Sequence, residues 1–97
     1  MPATATVNGH VVAETDTYEV VDGNIYFPPS SINKASFTST PTQTYCPYKG
    51  QASYYTVTTG KTEVPDAAWY YPDPKPEYQK IKNFVAFYKG KADVQSS

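Results

Sequence analysis

Between Ala52 and Thr58 the chain alternates with period two. Ala52, Tyr54, Thr56 and Thr58 fall on one face of an extended segment, and Ser53, Tyr55 and Val57 fall on the other. The same period puts Trp69 and Tyr71 together in Ala67-Tyr71, and sets Val85 and Phe87 opposite Ala86 and Tyr88. Turn dipeptides punctuate these runs. Asn8-Gly9 joins Thr4-Val7 to His10-Thr15, and Asp22-Gly23 joins Tyr18-Val21 to Asn24-Phe27. Both pairs favour the positive backbone angles of a tight hairpin. Thr59-Gly60 predicts a hairpin between Ala52-Thr58 and Lys61-Val64, and Lys89-Gly90 one between Phe84-Tyr88 and Ala92-Gln95.

Proline breaks the pattern twice. After Phe27, Pro28-Pro29 takes the chain out of a sheet, and Ser30 or Ser31 can cap a turn of helix through about Ser36. Pro72-Asp73-Pro74-Lys75-Pro76 is stiff and extended, because each residue before a proline is pushed away from helix. Pro76 then suits the first position of a short helix, Pro76-Asn83. Thr38-Thr44, rich in Ser and Thr and containing Pro41, reads as loop or edge strand. The expected core is Val12, Val20, Ile25, Phe27, Val57, Ile81, Val85 and Phe87. The expected architecture is mainly β: one domain over 1–97, its core about 7–94, of antiparallel hairpins forming a curved sheet or partly closed barrel with one short helix.

Composition narrows the class. Ninety-seven residues can bury one small core. The net charge is −1, and all the basic residues are lysine, which argues against a nucleic-acid or anionic-membrane partner. No apolar run approaches the ~18 residues of a membrane helix. The start, Met1-Pro2-Ala3-Thr4, has no charged and apolar leader pattern, so a soluble cytoplasmic protein is expected. One cysteine and one histidine exclude a structural zinc site of the Cys/His kind. Neither a cofactor nor a metal is expected.

The candidate chemistry lies in two blocks. Cys46-Pro47-Tyr48-Lys49 reads as a β-turn with Pro47 in its favoured place, which brings Cys46 and Lys49 together. A nearby ammonium stabilises a thiolate, so Cys46 is a candidate reactive or ligand-contacting group, against the plain alternative of a small buried hydrophobe. Lys49 among tyrosines needs an anion: Glu14 or Asp73 of the chain itself, or a ligand's carboxylate or phosphate. Gly50 is expected at positive φ or at a close backbone approach. Tyr45, Tyr48, Tyr54, Tyr55, Trp69, Tyr70, Tyr71 and Tyr88 are too many aromatic rings for one small core, so some must line a groove or a partner surface.

Several blocks occur together in order: Val11-Val12-Ala13-Glu14-Thr15, Tyr26-Phe27-Pro28, Cys46-Pro47-Tyr48-Lys49-Gly50 with Ala52-Ser53-Tyr54, Ala67-Ala68-Trp69 with Tyr71 and Pro74, and Val85-Ala86-Phe87-Tyr88. In these the chain resembles the family known as domain of unknown function 427, over roughly Val7 to Val94. The resemblance implies a compact β fold of the tent or barrel kind and carries a nucleotidyltransferase-like label. The residues give that label little to work with. There is no Gly-Ser turn followed by paired aspartates, and Gly50 lies ten residues before Gly60-Lys61-Thr62 rather than at phosphate-loop spacing.

The leading expectation is a small-molecule binding or interaction module. Its site is formed by Cys46, Lys49, Tyr54, Trp69, Tyr71 and Asp73, with Lys49 meeting an anionic ligand and Tyr54 and Trp69 stacking on it. Its partner is a small anionic ligand or a protein. The alternative is an enzyme using Cys46 and Lys49, nucleotidyl transfer included; the residues leave open whether the module catalyses anything.

Overall fold

The structure, a computed structural model, describes residues 2–96; Met1 and Ser97, the ends of the expected domain, lie outside them. Among the described residues nine strands form: β1 (Ala3–Val7), β2 (His10–Thr15), β3 (Glu19–Val21), β4 (Asn24–Tyr26), β5 (Phe37–Cys46), β6 (Gly50–Thr59), β7 (Thr62–Tyr70), β8 (Val85–Phe87) and β9 (Asp93–Ser96). They pair antiparallel into a three-stranded sheet β2-β1-β9, a ribbon β3-β4, and a four-stranded sheet β5-β6-β7-β8. The protein is mainly β, with curved antiparallel sheets that close no barrel among the described residues. No helix among the described residues is long and apolar enough to cross a membrane.

The tight turns form as their residues dictate. Asn8 and Gly9 stand at φ 50° and 79°, and Asp22 and Gly23 at 53° and 78°. Both pairs are thus left-handed at both central positions, as a two-residue hairpin of this twist requires. The Thr38-Thr44 segment is the middle of β5, an edge strand, and Pro41 is tolerated there because the ladder is broken between Ser39 and Gln43.

Three local expectations are corrected. Lys61-Val64 and Ala67-Tyr71 belong to one strand, β7, which bulges between them: Tyr55 faces Ala68 while Val57 faces Val64. Pro65 withholds an N–H at the bulge, and Asp66 takes φ 49°. Its carboxylate accepts from Thr40 Oγ1 at 2.9 Å and Thr42 Oγ1 at 2.8 Å, which binds the β5 bulge to the β7 bulge.

Phe84-Tyr88 and Ala92-Gln95 do not form a hairpin. β8 pairs with β7, and β9 crosses to β1, with Ala3 opposite Ser96. The turn after Tyr88 buries Ala92 and so redirects the chain. β1 buries Ala3, Ala5 and Val7, and a strand so placed needs both its edges paired. The expected helix over Pro76-Asn83 is instead a 3-10 segment, Pro76–Ile81, kinked at Tyr78 (φ −120°). The non-helical angles of Tyr78 break the i to i+4 pattern, and the segment is held by the fully buried Ile81. Two shorter 3-10 turns, Pro29–Ser31 and Lys34–Ser36, lie where a single turn of helix is expected.

The four-stranded sheet is covered on both faces. One face presents Tyr55, Val57, Ala68, Val85 and Phe87 to the main core, with Val12 and Phe27. The other presents Ala52, Tyr54, Trp69, Tyr71 and Ala86 to Val21, Tyr26 and Ile81. The expected core residues are buried except two. Ile25 is half-buried against the main core, and Val20 is 58 % exposed. Val20 and Ile25 face one another across the β3-β4 ribbon; Ile25, on the strand beside β8, reaches the main core, while Val20 on the outer strand stays in solvent.

Candidate functional site

The second face of the large sheet gathers most of the chemistry. β5 ends at Cys46 and β6 begins at Gly50, paired across a turn formed by Pro47, Tyr48 and Lys49. The half-buried Cys46 thiol lies close enough to Lys49 to add to the field that favours its charged form. The turn expected over Cys46-Pro47-Tyr48-Lys49 forms. Gly50 sits at φ 112°, and a Cβ there would stand 3.3 Å from the Asp73 carbonyl oxygen. Lys75 N–H donates to the Lys49 carbonyl at 2.8 Å. The proline-stiffened segment thus packs its backbone onto the turn, and Gly50 is needed both for its angle and for the close approach.

Lys49 is buried, and its ammonium pairs with Asp22. The two partners differ in setting: the Lys49 side chain is 10 % exposed and that of Asp22 is 66 % exposed. Asp22 lies on the β3-β4 turn, so one tight hairpin both closes the ribbon and supplies the counter-ion. The Tyr78 ring lies 5.2 Å from the ammonium, in cation–π range. The hydrogen bond to Asp22 raises the Lys49 pKa, against the opposing effect of burial, so the side chain is a firm cation. Glu14 and Asp73, the two expected intramolecular partners, are not that counter-ion. Glu14 sits on the distant β2 opposite Thr4, and Asp73 turns its carboxylate to solvent while its carbonyl touches the turn.

The aromatic residues form a linked set. Trp69 Nε1 donates to Tyr26 Oη at 3.2 Å, with the rings edge to face at 6.3 Å. Trp69 leans on Tyr88 at 4.7 Å. The Tyr54 and Tyr88 hydroxyls meet at 3.2 Å, and that of Tyr54 also meets Thr44 Oγ1 at 2.8 Å. Tyr71 is buried among them. Burial raises the Tyr26 and Tyr71 pKa values, and the hydrogen bond with Tyr54, followed by burial, pushes Tyr88 up to about 12. These phenols are neutral at physiological pH, which leaves Lys49 as the buried charge of the cluster.

Of the expected site residues, the structure brings Cys46, Lys49, Tyr54, Trp69 and Tyr71 to this face, and Asp73 reaches it by backbone alone. Sequence reasoning missed Asp22, Tyr26 and Tyr78 as members. Asp22 reads as a turn former, and nothing in the spacing ties it to a lysine in another hairpin. Tyr26 had one signal: it stands in the Tyr26-Phe27-Pro28 block.

The geometry defines a small antiparallel β domain with a buried lysine at one end of a tyrosine-lined sheet face. The chain belongs to the family described as Domain of unknown function (DUF427), whose model matches residues 2–97. No curated protein matches the chain significantly.

Proposed function

We propose that the protein is a small-molecule binding module for an anionic ligand, with Lys49 as the anion-binding group. The carrying observation is the mismatch within the ion pair: a buried cation is neutralised by a carboxylate on an exposed turn. A buried ammonium demands an anion, but Asp22 can swing into water and be solvated there. A ligand carboxylate or phosphate takes its place without leaving a charge buried and alone. Trp69 and Tyr54, on the same sheet face, are assigned the ligand's body, and Cys46, Tyr71 and the Asp73 backbone the rest of the wall. The reading takes the module to act in the cytoplasm on a soluble metabolite.

The alternative, an enzyme using Cys46 and Lys49, has less support. Nucleotidyl transfer needs carboxylates converging on divalent ions. Among the described residues no three His, Cys, Asp or Glu side chains cluster in that way.

Thermal-shift titration with sugar phosphates, nucleotides and dicarboxylates tests the binding reading. A ligand at a hundredfold excess over its dissociation constant stabilises by about 2.7 kcal/mol. Asp22→Asn removes the competing carboxylate, so it should lower the melting temperature without ligand and tighten anion binding. Lys49→Met should abolish binding. If Asp22→Asn leaves every anion without effect, the ion pair is purely structural and the reading fails.

A further inference from the structure

A second candidate site lies on the opposite face of the same sheet. The connection from β4 to β5 carries Pro29, Ile32 and Lys34 across the sheet's end to Phe37, the first residue of β5, and is pinned to β2 where Asn33 N–H donates to the Val12 carbonyl at 2.8 Å. Between this connection and the sheet residues Tyr55 and Val85 is a cavity of about 320 Å³, with Asn83 on its lining. That is near the lower end of the ~300–1,000 Å³ of small-molecule pockets. The period of the strands separates it from the Lys49 cluster: Tyr55 and Val85 point to the main core, while their neighbours Tyr54 and Ala86 point to the other face.

Its walls are apolar and aromatic. Phe37 and Tyr55 meet edge to face at 5.5 Å, and Tyr55 is backed by Tyr70, stacked at 4.5 Å. Two fixed rings at right angles offer a third ring both a face and an edge. One charge lies on the lining, and it is a cation: Lys34. Among the described residues Lys34 makes no ion pair; the lysines that do are Lys49 and Lys80. Burial, then the neighbouring Tyr70, raises the Tyr55 pKa, so its phenol adds no negative charge. Asn83, held at φ 63° just before β8, contributes an amide that can donate to a carboxylate.

We propose that this cavity is a binding site for a small aromatic monocarboxylate, its ring between Phe37, Tyr55 and Val85 and its carboxylate at Lys34 and Asn83. The site is independent of the one at Lys49, and either can fail without the other.

Titration of the intact protein with phenylacetate, followed by amide chemical shifts, tests the proposal. Saturable shifts should gather at Ile32, Lys34, Phe37, Tyr55 and Asn83. Lys34 is exposed, so Lys34→Glu should fold normally and weaken phenylacetate by about tenfold or more, the weight of one charge-assisted hydrogen bond. The neutral isostere phenylacetamide should bind the native protein more weakly by a similar factor. The proposal is overturned if shifts do not saturate, if they gather only around Lys49, if Lys34→Glu binds as the native protein does, or if phenylacetamide binds as tightly as phenylacetate.

Discussion

On one face of the β5-to-β8 sheet, Val57, Val85 and Phe87 pack with Phe27 through apolar contact. On the other, Tyr54, Trp69, Tyr71 and Tyr88 meet through hydroxyls and an indole N–H. The backbone is shared, so away from the bulges in β5 and β7 the difference lies in the side chains. The first face gains from contact and the removal of water, which any apolar group of the right volume can supply. The second fixes each ring by a polar partner, which specifies orientation at the risk of an unpaired group when one member is lost. A face that holds rings in set orientations and keeps one cation is suited to recognition; the packed part of the first face is suited to stability, and recognition there is confined to the cavity at Phe37 and Tyr55.

Mutation separates the two. Phe27 is fully buried and edge to face with Phe87 at 5.5 Å. Phe27→Ala should therefore cost about 3–5 kcal/mol, close to the whole stability of a domain this size, with urea denaturation as the measurement. Trp69 is only half-buried, and Trp69→Phe keeps most of its ring while taking the donor from Tyr26. A loss of about 1–3 kcal/mol is expected, the cost of an unsatisfied buried hydroxyl. An unchanged urea midpoint in that variant would mean that the second face is held by contact alone, like the first.

The smallest effect is at alkaline pH and belongs to the second face. Tyr88 has a folded pKa of about 12 against an ordinary 10.0, and the Lys49 pKa is raised as well. A group whose pKa rises on folding contributes stability that is complete below its unfolded pKa and lost as pH climbs through the folded one. The native protein should hold its stability up to about pH 10 and lose some of it towards pH 12. Tyr88→Phe should lose less over that interval, because one of the titrating groups is gone. Equal slopes in the two proteins, read from urea midpoints at several pH values, would remove the Tyr54–Tyr88 hydrogen bond from the account. Tyr88 is 41 % exposed, so solvent screening keeps this effect below the other two.

What could be read from the chain followed the range of the interaction. The Asn8-Gly9 and Asp22-Gly23 turns, the Cys46–Lys49 turn and the two faces of β6 are local, and all are legible in the residues themselves. Gly50 was legible too, since a glycine after a proline turn signals either an unusual angle or a close neighbour, and here both hold. The pairing of β9 with β1 was hidden, because Lys89-Gly90 is a good hairpin signal and nothing local says the chain will decline it. The Lys49–Asp22 pair was hidden for the same reason: the partners lie 27 positions apart on two separate hairpins. Val20 misled because hydrophobicity marks a residue that gains from burial without saying whether its ribbon has a second neighbour.

The adjacency of β1 and β9 also bears on how the molecule comes into being. Ala3 stands opposite Ser96, so the first strand made waits for the last before its second edge is closed. Ordering so long a loop ahead of its contacts is entropically unfavourable and slows folding. During synthesis the β5-to-β8 sheet can assemble as its strands emerge, while β1, paired with β2, still lacks its second neighbour. The three-stranded sheet is complete only once β9 is made, and a chain halted before Asp93 would present an open strand edge to whatever chaperone or neighbour meets it first.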